Sequence, residues 1–184
     1  MRATYHRERL IHILQGAYSG ELAAGFAYRG HWKSLKNPVE RERIQQIEQE
    51  EWVHRRHVGL MLAHLDASPR LSLELKLRII GRTIGAACHL MGWFLPMYFA
   101  GRLESGNVEE YESAAFHAGK LGLSDFQSDL LVMARVEREH ELYFMSVVAD
   151  HAWLPFMQSV FKWGPTLAAA ATEAETQSPS RPAN

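Results

Sequence analysis

Two stretches of this 184-residue sequence carry glutamate and histidine three positions apart, Glu51-Trp52-Val53-His54 and Glu137-Arg138-Glu139-His140. On a helix such residues share a face, so a carboxylate and an imidazole project toward one point, as a metal-ligand pair must. With 10 histidines in 184 residues, about one such pair arises by accident, so the weight comes from what precedes each pair. Glu21 is followed by Tyr28 and then by the first pair; Glu104 is followed by Tyr111 and then by the second. The glutamate-to-tyrosine interval is 7 residues in both halves, and the tyrosine-to-glutamate interval is 23 from Tyr28 to Glu51 and 26 from Tyr111 to Glu137. The chain reads as two related helix pairs, the arrangement that a symmetric two-metal site needs.

The expected ligands are therefore Glu21, Glu51, His54, Glu104, Glu137 and His140. Six ionisable side chains turned into a core are severely penalised without a counter-charge. Four carboxylates balance two divalent cations, and mixed oxygen and imidazole donors suit iron or manganese better than zinc. A glutamate from each of two helices with Glu-x-x-His from each of two others is the established pattern of di-iron carboxylate bundles. Glu51 and Glu137 are expected to bridge the ions, with Glu21 and Glu104 terminal. Glu104 is preferred over Glu109 and Glu112 because it alone repeats the interval from Glu21 to Tyr28.

Tyr28 and Tyr111 are placed to hydrogen-bond ligand carboxylates or relay electrons, or to sit as buried tyrosines with satisfied hydroxyls. Glu48 and Glu50 lie in a charged stretch whose acids ordinarily face water. His57 reads as a surface or outer-sphere residue, and His64, His89 and His117 lack a carboxylate at ligand spacing. Asp125, Asp129 and Asp150 lie too far from His140 along its own helix, so an acceptor for its second nitrogen is expected from a facing helix.

Long stretches rich in Leu, Ala, Glu, Arg and Met, with apolar residues recurring at three and four, predict an all-α protein. The first helix is expected from about Arg7 to Trp32, with Leu10, Ile13, Leu14, Ala17, Glu21, Ala24 and Tyr28 on one face. Asn37-Pro38 predicts a capped start for a second helix that Ala67-Ser68-Pro69 closes near Asp66. From Arg70 to about Gly119 the chain is too long for one helix, and Gly92 and Pro96 offer places for a break or kink between a crossover segment and a third bundle helix. Gly122 should stop that helix, Ser124-Asp125 should cap a fourth reaching about His151, and a short helix should follow Leu154-Pro155. The expected architecture is a ferritin-like four-helix bundle over residues 1–165, with a long crossover between the second and third helices, a short C-terminal helix, and a disordered tail over 166–184.

Composition narrows the setting. A formal net charge of -1, from 20 basic and 21 acidic residues, gives no reason to seek phosphate backbones, so nucleic acid is not an expected partner. The single cysteine, Cys88, reads as a buried small hydrophobe in a reducing cytoplasm. No secretory leader is evident at the N-terminus. Thr83 to Gly101 lacks Lys, Arg, Asp and Glu, yet His89, Pro96 and three glycines, with Arg82 and Arg102 at its flanks, favour a buried or membrane-surface helix over a spanning one.

The run Gly20-Glu21-Leu22-Ala23-Ala24-Gly25-Phe26-Ala27-Tyr28-Arg29-Gly30, both Glu-x-x-His pairs and the Glu104-to-Tyr111 spacing together resemble the demethoxyubiquinone hydroxylase family of ferritin-like di-iron proteins, over about residues 10 to 150. All six ligand positions match. The resemblance implies a monooxygenase at the inner face of a membrane, carrying two iron ions and using dioxygen and NADH-derived electrons to hydroxylate a quinone ring. The apolar crossover around Ile79 to Tyr98 would guide the substrate. The family pattern has a histidine before the third-helix tyrosine where this chain has Glu110, a departure that bears on NADH-driven quinone reduction, and the segments around His31-Trp32-Lys33 and Gly92 to Tyr98 are not recognised as features of the family. Expected partners are dioxygen, an apolar small molecule such as a quinone, an electron donor of open identity, and further copies of the chain. A ferroxidase or peroxidase of the ferritin and rubrerythrin type, and a helical interaction module without catalysis, stay open as alternatives.

Overall fold

The computed structural model describes residues 2–165; the tail expected over 166–184 lies outside them. The described residues are all-helical: α1 (Arg2–Ser34), α2 (Pro38–His64), α3 (Leu71–Ala87), α4 (Phe94–Lys120), α5 (Ser124–Val148) and α6 (Leu154–Phe161).

Local chemistry explains most of these boundaries. Asn37 caps α2 by accepting the Val39 N–H at 3.0 Å, and Pro38 occupies the first turn, where its missing donor costs nothing. The end of α2 is earlier than Pro69 would impose. Asp66 takes a left-handed conformation (φ 50°) and the Ala67 N–H closes back on the Leu62 carbonyl at 2.9 Å. Gly122 (φ 73°) ends α4 in the same way, with Leu123 N–H bonded to Ala118 O at 3.1 Å. Two boundary expectations are corrected. Ser124 and Asp125 do not cap α5 from outside: Leu123 is the cap residue, and no side chain bonds to it there. Pro96 does not break a helix, because it sits in the first turn of α4, where proline is tolerated; the break lies at Gly92 (φ 72°). The charge-free segment Thr83 to Gly101 is therefore split between α3 and α4 rather than forming one helix. Among the described residues, no helix is long and apolar enough to cross a membrane.

Two apolar cores show how the long helices run. One joins Leu10, Leu14 and Ala17 of α1 to Val58 and Leu62 of α2, Ala114 and Ala118 of α4, and Leu130 of α5. The other joins Tyr28 of α1 to Ile44 and Ile47 of α2, Met97 and Tyr98 of α4, and Phe144 and Val148 of α5. The start of α1 thus meets the end of α2 and of α4 and the start of α5, so α2 and α4 run parallel to each other and antiparallel to α1 and α5. A parallel succession needs a link along the whole length, and α3 supplies it, packed along α1. The contact is made backbone to backbone: a Cβ on Gly81 would lie 2.4 Å from Ala23 O, and one on Gly30 would lie 2.3 Å from Gly85 Cα. α6 folds back so that Tyr98 OH donates to Trp163 O at 2.9 Å, with Trp163 buried against Gly101.

Gly81→Val should therefore lever α3 off α1 and lower the unfolding free energy by about 3 kcal/mol. Gly106→Ala, whose added carbon meets nothing within 4 Å, should raise it by about 0.5–1 kcal/mol in the same denaturant titration.

Candidate metal centre

Between the two apolar cores lies a layer of acids and imidazoles. Glu21 projects from α1, Glu51 and His54 from α2, Glu104 from α4, and Glu137 and His140 from α5; none is more than 5% exposed. All six expected ligands are brought together in two overlapping groups. Glu21, Glu51, His54 and Glu137 form one, and Glu51, Glu104, Glu137 and His140 the other, with the donor atoms of each within 4.8 Å of one another. Glu51 and Glu137 belong to both groups, the position that bridging carboxylates would take. Glu109 and Glu112, the alternatives to Glu104, are exposed.

The donor atoms are short of protein partners. Both oxygens of Glu51 and of Glu137, Oε2 of Glu21, and Nδ1 of His54 and of His140 are buried without a hydrogen bond. His54 Nδ1 stands 2.7 Å from Glu137 Oε1, and His140 Nδ1 stands 3.4 Å from Glu51 Oε1 and 3.5 Å from Glu137 Oε2, close approaches without hydrogen-bond alignment. Orphaned buried acceptors of this number are not a feature of ordinary cores. Converging carboxylates and imidazoles with free lone pairs fit a pair of divalent cations.

The tyrosines tie the two halves together crosswise. Tyr28 of α1 donates to Glu104 Oε1 of α4, and Tyr111 of α4 donates to Glu21 Oε1 of α1. The equal seven-residue spacing thus places each tyrosine against the other half's glutamate. Asn107 Nδ2 adds a bond to Glu104 Oε2 at 2.9 Å.

Glu48 and Glu50 depart from the expectation of solvated side chains, and Glu110 is withdrawn from solvent as well. Glu50 Oε2 lies 2.6 Å from His140 Nε2 and is the acceptor from a facing helix that His140 requires; it leaves Nδ1 turned to the centre. Adjacent to Glu51 in sequence, it is rotated about 100° around α2 and so faces α5. Glu48 is buried and accepts from Arg29 Nε at 2.8 Å, Trp32 Nε1 at 2.7 Å and Trp52 Nε1 at 3.1 Å, locking α1 to α2. Glu110, partly buried near Gly16, is pushed up to about 7 by burial and by the charge of Glu21. His57, His64 and His89 are exposed. His117 is buried beside His6, with their Nδ1 atoms 2.8 Å apart and away from the centre.

An apolar cavity of about 330 Å³ between α1, α3 and α4 reaches this layer at Tyr28 and Glu104; its far wall includes Ile84, Cys88 and Phe99. Cys88 is buried, as its surroundings in the sequence suggested, and burial raises its thiol to about 11.

Burial raises Glu51 and Glu104, and the repulsion of Glu137 adds to it; burial also raises Glu21. In Glu137 burial is outweighed by the close approach of His140 and His54, which lowers it. Burial would lower both histidines, but Glu137 outweighs it and raises them, with Glu50 assisting at His140. Comparison with protein-family models, with curated proteins and with solved structures finds no match to this chain.

The pH dependence follows. A raised group contributes stability below its unfolded value and loses it as pH rises through its folded one. Glu21, Glu51 and Glu104 act so above 4.5, and His54 and His140 above 6.5. Glu137, lowered, keeps its contribution above 4.5 and loses it only in acid. The metal-free protein should melt on the order of 5 °C lower at about pH 8 than at about pH 5. Calorimetric scans across that range check this.

Proposed function

We propose that this chain is a ferritin-like di-iron carboxylate oxygenase that acts on an apolar organic substrate, such as a quinone, held in the cavity beside Tyr28 and Glu104. The observation that carries the reading is the juxtaposition of two things: a buried set of four carboxylates and two imidazoles with orphaned donor atoms, and an apolar chamber that opens on it. The antiparallel and parallel order of the four long helices, with a crossover after the second, is the topology that ferritin-like proteins require.

Glu21, Glu51, His54 and Glu137 would hold one ion, and Glu51, Glu104, Glu137 and His140 the other. Iron bound there supplies dioxygen activation for inserting an oxygen atom into a substrate C–H bond. The chain's own residues do the rest. Glu50 fixes the tautomer of His140. Tyr28 and Asn107 orient Glu104 at the cavity wall. The apolar side chains of α1, α3 and α4 exclude water and favour an uncharged substrate. The chamber favours an oxygenase over a ferroxidase, whose substrate would need a polar entry.

The same α3 that walls the cavity turns Leu71, Leu75 and Ile79 outward beside Lys76, Arg78 and Arg82. An apolar stripe flanked by cations suits peripheral contact with an anionic membrane, from which a lipid-soluble substrate could enter.

Protein produced with iron should contain about two ions per chain, measured by elemental analysis. Glu51→Ala combined with Glu137→Ala should abolish binding. Wild-type protein produced with iron that is fully folded yet holds none sinks the proposal, and manganese in place of iron redirects it. Dioxygen uptake should require an added quinone and reductant and yield a hydroxylated ring; uptake driven by ferrous iron alone would favour ferroxidase activity. Glu50→Ala should weaken metal binding by roughly 10–100-fold while leaving the fold intact, as read by competition with a chelator.

A further inference from the structure

His31 lies one turn beyond Tyr28 on α1 and lines the apolar cavity. It is 2% exposed, and its Nε2 is buried with no hydrogen-bond partner. The ring lies nearly parallel to Phe144, at a centroid distance of 6.4 Å and 15°, and to Tyr28 at 6.4 Å and 20°. Burial lowers its pKa to about 4, so the imidazole is uncharged at neutral pH and can either donate or accept.

Nearly every other polar group of the cavity wall is engaged. Tyr28 and Asn107 donate to Glu104. Arg102 is exposed, with Nε directed at Phe161 O at 3.4 Å. Cys88 keeps a protonated, weakly polar thiol. A neutral imidazole with a free nitrogen, set in a wall that is otherwise apolar or satisfied, is a costly feature unless something bonds to it.

We propose that His31 is the polar anchor of this cavity, which takes an apolar ligand bearing one uncharged hydrogen-bonding group, a hydroxyl or a carbonyl, and orients it by a bond to the imidazole. The inference rests on the reading of the cavity as a substrate site and adds which ligands it selects and by which atom. An anionic head would lose its hydration and meet no positive charge at this neutral imidazole; a pure hydrocarbon would leave the imidazole unpaired. His31 is a positioning residue and lies outside the six-residue metal layer.

Two isosteric probes test this, naphthalene and 2-naphthol, bound to the full chain as purified and followed by calorimetry or equilibrium dialysis. The wild type should bind both in competition with each other, with 2-naphthol roughly tenfold tighter, the worth of one hydrogen bond in a dry site. In His31→Phe the preference should vanish, with naphthalene affinity kept within about twofold and metal content unchanged, because the apolar wall survives the exchange. His31→Leu serves the same purpose should the phenylalanine variant not fold, and circular dichroism establishes which variant is native. Equal affinity for the two probes in the wild type, or a preference for 2-naphthol that survives in a folded His31 variant, overturns the anchor while leaving the cavity reading in place. Failure of the wild type to bind either probe, or binding without competition, overturns the cavity reading and the anchor with it. Iron content is read separately, so loss of the metal proposal is not confused with either result.

Discussion

Burial of charge is the constraint on which this structure depends. Four carboxylates and two imidazoles share one layer with almost no solvent, and several of their donor atoms have no protein partner. An uncompensated charge in such surroundings costs several kcal/mol, far more than any one apolar contact in the flanking cores returns. Without cations the layer relieves itself through protons: Glu51 and Glu104 are driven toward the neutral form, Glu137 holds its charge, and the histidines take up protons beside it. Divalent cations would exchange those protons for a fixed compensation. The apolar clusters on either side then act as plugs that keep the layer dry and hold the four long helices at fixed separation.

That constraint makes sense of the bonds between helices. Each tyrosine reaches the opposite half's glutamate, so neither half can position its carboxylate alone. Glu48 gathers Arg29, Trp32 and Trp52 and fixes α1 against α2. The crossover α3 does the reverse, presenting glycines to α1 so that the backbones approach closely at Gly81 and Gly85. Its side chains beyond Gly81 then roof the cavity without filling it, so an apolar space is left beside Glu104 about one turn from that helix contact.

Much of this was legible because the relevant residues obey short-range periodicities. Glu21 sits within an apolar stripe, and Glu104 repeats its interval to a tyrosine, so both could be placed at the centre before any coordinates; Asn37-Pro38 announces the start of α2 by local chemistry alone. What the sequence hid depends on partners distant along the chain. Glu50 looks like one acid among several until α5 brings His140 to within 2.6 Å of it. Glu48 is drawn inside by three donors on two helices, which outweighs its intrinsic preference for water. Pro96 was misread because proline's effect depends on its distance from the helix start, and that start was set by Gly92. The cross-pairing of the tyrosines could not be read from spacing, since bonding within a half and between halves has the same interval.

The two halves match in sequence but not in surroundings, and the mismatch has a direction. On the side of the centre facing the cavity, both oxygens of Glu104 are engaged by Tyr28 and Asn107, and His140 is braced by Glu50. On the far side Glu21 has one bonded oxygen and one orphan, and α5 offers Val136 where α2 offers Glu50, so no residue adjacent to Glu137 braces His54. Side chains with several bonds surrender little entropy when a ligand arrives, whereas Glu21 and His54 are held by fewer bonds. The bracing bonds are thus concentrated on the side where, in the proposed reading, an organic molecule would have to be aligned. A duplicated sequence would give equal halves. The departures from equality at Glu50, Asn107 and Val136 give the cluster two unlike faces, and in the proposed oxygenase the face at Glu104 would be the working one.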